Sequence, residues 1–172
     1  MKTQIKLLSS IVLLFMSVQL FAQNDKSKRP SPPDKVSETL KSGVMVSVDY
    51  SQPSIKGRTI GKEIAPYGQI WRTGANEATV FEINKDVKIN GQTLPAGKYG
   101  LYSIPGEKDW VFIFNKTWNQ WGTSYAKTDD ALRVTVNTEK SSKFIEKMTF
   151  KIEKDGEVEL MWGNVEAEFK VK

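Results

Sequence analysis

Apolar and polar residues alternate along most of this chain with a period of two. In "VMVSVDY" (44–50), Val44, Val46, Val48 and Tyr50 share one face, while Ser47 and Asp49 fall on the other. The same pattern runs through "ATVFEIN" (78–84), "VKING" (87–91), "KYGLYSI" (98–104) and "ALRVTVN" (131–137). It returns in "EKMTFKIEK" (146–154), "EVELMW" (157–162) and the closing "NVEAEFKVK". Successive side chains of a strand point to opposite faces, so this alternation predicts half-buried strands. "WVFIFN" (110–115) is apolar at every position but the last, as expected for a central strand covered on both faces. "LPAG" and Lys85-Asp86 read as turns. Asp155-Gly156 reads as a hairpin turn of type I′, in which both central residues have positive φ.

No segment keeps a 3.6-residue apolar repeat long enough to predict a helix, although 58–66 and 124–131 have room for a helical turn and 35–41 reads either way. About eight to ten short strands joined by turns predict an all-β fold: an antiparallel β-sandwich, jelly-roll-like or a related barrel.

The N-terminus departs from this pattern. Lys2 and Lys6 precede a mostly apolar run over 7–18, and Ala22 precedes a polar stretch. This is the layout of a secretory signal peptide, 1–22, with Leu20 larger than the small residue usual three positions before a cut. The apolar run is shorter than the roughly 20 residues of a membrane-spanning helix. The expectation is an exported protein, periplasmic or extracellular, with no integral membrane segment after cleavage. "QNDKSKRPSPPD" (23–34) is polar with three prolines and reads as a flexible leader. One domain, 35–172, follows.

Composition narrows the chemistry. There is no cysteine, so there is neither a disulfide nor a lipidated cysteine, and no histidine, so the commonest general base and metal ligand is missing. Zinc sites of the Cys/His kind are excluded, and neither metal nor cofactor is expected. Two of the 25 basic residues leave with residues 1–22 and no acid does, so the net charge falls from +5 to +3. The charges are interspersed, which argues against a nucleic-acid face.

"YGQIWRTGANEATVFEI" (67–83) concentrates Tyr67, Trp71, Arg72, Asn76 and Glu77 around two glycines. One reading is a structural clamp, with Arg72 and Glu77 joined by charge-assisted hydrogen bonds. The other is a ligand site, with an aromatic platform beside planar polar groups, a mix suited to a glycan. "NKTWNQWGTSY" (115–125) places Trp118, Trp121 and Tyr125 in a loop, either as a cap over one end of the sandwich or as part of a binding platform. A hydrolase would need a carboxylate pair, Glu77 with Asp49, Glu63 or Glu82. No G-x-S-x-G elbow, phosphate loop or calcium loop is present. The candidate ligand-binding residues are therefore Trp71, Arg72, Asn76, Glu77, Trp118 and Trp121, for a glycan, small molecule or protein partner, with no catalytic residue assigned.

"VDYSQPSIKGRTI", "PYGQIWRTGANEAT", "LPAGKYGLYSIPGEKDWVFIFNK" and "NQWG", in this order, closely resemble a family known as domain of unknown function 2911. The resemblance spans about residues 31–172. It implies a compact, exported, β-rich bacterial domain and no particular reaction.

Overall fold

The computed structural model describes residues 25–172; the expected signal peptide, together with Gln23 and Asn24, lies outside the described residues. The strands are β1 (Pro33–Thr39), β2 (Met45–Ser51), β3 (Ile60–Gly61), β4 (Ile64–Pro66), β5 (Thr79–Ile83), β6 (Val87–Ile89), β7 (Gln92–Leu94), β8 (Gly97–Ile104), β9 (Asp109–Asn115), β10 (Asp130–Ile152) and β11 (Glu157–Lys170). Seven form one antiparallel sheet in the order β1-β2-β5-β8-β9-β10-β11. β3 and β4 form a short parallel pair, and β6 and β7 a hairpin. The all-β antiparallel architecture expected from the alternation is what the chain adopts.

The sheet is curled rather than flat. β10 is 23 residues long and pairs first with β9, then with β11. Register shifts interrupt its pairing with β11 between Lys140 and Thr149, and such irregularities bend a strand. Beyond the bend β10 reaches the opposite edge of the sheet: Met148 N donates to Pro53 O at 3.0 Å, and Phe150 N donates to the Tyr50 hydroxyl at 3.1 Å. The C-terminus closes a second seam, where Lys88 N donates to Lys172 O at 2.7 Å.

The concave side holds an aromatic core. Phe81, Phe112, Phe114 and Phe169 meet at centroid separations of 5.0–5.8 Å. Trp110 and Trp162 are also buried there. The alternating faces named in the sequence, Val44 to Tyr50, Leu132 to Val136, Met148 to Ile152 and Val158 to Trp162, all point into this core. β8 and β9 are covered on their other face too, where Tyr102 and Ile113 pack with Ala78 and Tyr125. That second layer explains the unbroken apolar run of "WVFIFN".

Several local expectations are corrected. Residues 58–66 hold β3 and β4 rather than a helical turn, whereas the helical turn for which 124–131 had room does form, as 3-10 helix at 127–129. The segments 131–137 and 146–154 belong to one bent strand. Residues 33 and 34 already lie in β1, and residues 35–39 continue it as strand. At Asp155-Gly156 the hairpin forms, but only Gly156 has positive φ, +96°. Gly156 N donates to Glu153 O at 2.9 Å, giving a three-residue loop with glycine in the left-handed position. A hairpin turn with positive φ at both central residues forms instead at Asn90-Gly91, at +47° and +87°, between β6 and β7.

A β-carbon at Gly156 would fall on the carbonyl oxygen of Val171, whereas one at Gly91 meets nothing within 4 Å. Gly91→Ala then carries only the left-handed backbone penalty of about 1–2 kcal/mol. Gly156→Ala adds the clash with the C-terminal strand and is expected to cost at least about 3 kcal/mol. Urea unfolding of the two variants checks this, and equal losses would show that the C-terminal strand is free to move aside.

Candidate functional site

Trp71 anchors the quoted motif. Its N–H and C=O both bond to Ser103 in β8 at 2.8 Å, so residue 71 acts as a short piece of strand. Its ring stacks on Trp162 at 5.2 Å and 6°, and meets Trp110 nearly at right angles at 5.9 Å. Adjacent residues of an extended segment point opposite ways, so Arg72 is directed away from the core.

The next residues turn sharply. Thr73, fully buried, has φ +48°, a conformation that β-branched residues rarely adopt. Two bonds hold it there: its hydroxyl meets Ser103 Oγ at 3.0 Å, and its carbonyl accepts from Thr79 Oγ1 at 2.8 Å. Asn76 also has positive φ, +62°, and its Nδ2 donates to Ser31 O at 2.9 Å.

The expected clamp between Arg72 and Glu77 is not formed. Glu77 instead accepts from a single nitrogen, Arg29 Nη1, shared between its two carboxylate oxygens at 3.1 and 2.8 Å, and lies 3.0 Å from Lys26 Nζ. Burial raises the Glu77 carboxyl, but its own backbone N–H, Lys26 and Arg29 outweigh that and lower it to about 2. A carboxyl held so low is a poor proton donor for glycoside hydrolysis. Its suggested partners are engaged too: Asp49 with Lys35 at 2.8 Å, Glu82 with Lys98 at 3.5 Å, and Glu63 with the Thr59 N–H at 2.9 Å.

The second motif does approach the first. Ala78 N donates to Gln120 O at 3.0 Å, Gly122 N donates to Asn76 O at 3.1 Å, and Glu77 faces Trp121 in an isolated β-bridge. Gly122 is required at this crossing. A β-carbon there would stand 2.8 Å from Asn76 O and run into the Arg72 side-chain stem. The contact opens a cleft of about 330 Å³, lined by Ile70, Trp71, Arg72, Gly122, Thr123 and Tyr125.

One end of the cleft is rigid. The Tyr125 hydroxyl donates to Asp130 Oδ2 at 2.8 Å and accepts from Arg133 Nη2 at 2.7 Å. Burial, then the Asp130 carboxylate, raise Tyr125 to about 12, so it stays neutral. Arg72 has no such acid: among the described residues its guanidinium forms no ion pair, Asp130 and Glu77 both being taken by other arginines.

Of the residues singled out in the sequence, Trp71 and Arg72 line the cleft. Asn76 and Glu77 lie behind it, with their side chains turned to residues 26–31. Trp118, 36% exposed, lies under the Lys98 ammonium at 5.1 Å, and Trp121, 52% exposed, stands beside Gly122. Neither ring is buried as a cap. Arg29 was missed because nothing local marks it, its partner being 48 residues away. Among the described residues no group of His, Cys, Asp or Glu is arranged to hold a metal ion, and no helix is long and apolar enough to cross a membrane.

Residues 31–171 match the family described as "Protein of unknown function (DUF2911)", and the chain belongs to that family. The match begins at Ser31, inside the segment read as leader, and takes in both motifs. No curated protein and no solved structure matches the chain.

The Arg29–Glu77 pair is half-exposed, so a double-mutant cycle of Arg29→Ala and Glu77→Ala should give a coupling of about 0.5–1 kcal/mol at pH 7. Because folding lowers the Glu77 pKa from 4.5 to about 2, this stabilisation is full above pH 4.5 and fades as pH falls toward 2. The matching Arg72/Glu77 cycle should give under about 0.3 kcal/mol. A larger value there would restore the clamp.

Proposed function

We propose that this protein is an exported, non-catalytic binding domain, and that the cleft between Trp71–Arg72 and Gly122–Tyr125 takes a small hydroxyl-rich or anionic ligand, a glycan unit being the best fit. The observation that carries the reading is Arg72, a guanidinium without an acid partner among the described residues, its stem lying along Gly122 in a cleft that Tyr125 also lines. A guanidinium offers planar, forked donors to carboxylate, phosphate or vicinal hydroxyls. Tyr125 and Ile70 supply apolar surface for the C–H face of a sugar. The cleft is at the small end of the range for ligand sites, which suits one or two sugar units rather than a large cofactor. Export is supported by Lys2, Lys6, the apolar run and Ala22.

A glycan screen with the intact domain, repeated with Arg72→Ala and Tyr125→Phe, tests the binding. Arg72→Ala should abolish the signal while costing under about 1 kcal/mol of stability, since only its stem is packed. A loss above about 2 kcal/mol, or binding indifferent to Arg72, would return this loop to a purely structural role. N-terminal sequencing of protein recovered outside the cytoplasm should begin at Gln23. Retention with Met1 in place would remove the export half of the proposal.

A further inference from the structure

Residues 25–32 precede the sheet and lie against the motif as a strap. Asp25 caps a single 3-10 turn by accepting from Ser27 N at 3.1 Å, and that turn presents Lys26 and Arg29 to Glu77. The other end of the strap is tied to the sheet, because Gln52 N donates to Pro32 O at 2.9 Å. Ser31 O, between these anchors, accepts from Asn76.

Asn76 and Glu77 thus face two ways. Their side chains hold the strap, and their backbone holds the far wall of the cleft, with Asn76 O receiving Gly122 N and Glu77 bridging Trp121. We infer that Arg29 is a positioning residue for the cleft: it lies outside the cleft, yet its bonds to Glu77 fix the loop to which Gly122 is tied. Asn76 sharpens the argument. Asparagine tolerates a φ of +62° better than other non-glycine residues, and the bond from its side chain to Ser31 in the strap fixes it there. Once the strap is released, the loop loses its outer side, while the sheet keeps its own ladder.

That coupling stands on the hydrogen bonds alone; its consequence for a ligand rests on the binding role proposed for the cleft. Amide hydrogen exchange on the whole protein separates the two. In Arg29→Ala, exchange at Gly122 and Ala78 should rise about tenfold or more, while amides of β5 and β8 change by no more than about twofold. Arg29→Lys, which keeps the charge and one nitrogen donor but not the planar guanidinium, should recover part of the protection. Faster exchange confined to residues 26–32 would overturn the inference, as would a uniform rise through the sheet. If the exchange result holds and no glycan binds wild-type protein, the binding reading falls and the coupling stands. If a glycan binds, Arg29→Ala should weaken it at least about tenfold through faster dissociation. Unchanged affinity would sink the positioning role while leaving the binding site intact.

Discussion

Trp71 is the residue on which the arrangement turns. One short extended step joins it to β8 through two backbone bonds to Ser103, and one ring joins it to Trp162 of β11. These strands are not neighbours, since β9 and β10 lie between them in the sheet. A single side chain therefore bridges the concave face of the curl and carries with it the loop that precedes β5. Large aromatics supply most of the apolar burial in a core of this size. Here they do so although the indole N–H groups of Trp110 and Trp162 find no hydrogen-bond acceptor among the described residues. An unpaired buried donor costs about 1–3 kcal/mol, so the aromatic packing must outweigh that penalty twice.

The cleft follows from the same anchor. With Trp71 fixed inward, strand alternation sends Arg72 outward, and the chain must then reverse within a few residues to enter β5. The reversal forces Thr73 and Asn76 into positive φ. That strain is stable only because Ser103, Thr79 and Ser31 each bond to the turn. The wall opposite Arg72 comes from the β9–β10 connection, brought close by a glycine that leaves room for the arginine stem. Core and cleft are two sides of one loop.

How much of this was legible in the sequence depended on range. Period-two alternation identified the strands because each side chain's face is a local property. It did not show that 131–137 and 146–154 form one strand, because a bend leaves the alternation on either side intact. The turn at Asp155-Gly156 was placed correctly and its type was not, whereas Asn90-Gly91, the stronger signal for type I′, passed inside a presumed strand. Polar, proline-rich composition described residues 25–34 without revealing that Pro33 opens an edge strand, where its missing N–H is tolerated. The prominence of Trp71 and Arg72 was visible. Which acid met which base was not: the sequence neighbour Glu77 pairs with Arg29, and Arg72 is left over.

That exchange of partners sets the electrostatics of the cleft. Had Glu77 paired with Arg72, the two charges would have cancelled and the guanidinium would have been spent on holding the loop. Lys26 and Arg29 satisfy Glu77 from the outer side instead, and Arg133 satisfies Asp130 at the cleft's end. Glu77 and Asp130 are each paired with a cation other than Arg72, which leaves Arg72 without a counter-ion among the described residues. A half-buried cation without a fixed counter-ion favours an anion or a dense set of hydroxyl acceptors over an apolar guest. The strap that holds Glu77 from the outer side is thus also what leaves Arg72 without a counter-ion, so the outer anchor of the loop and the free cation of the cleft are consequences of the same contact.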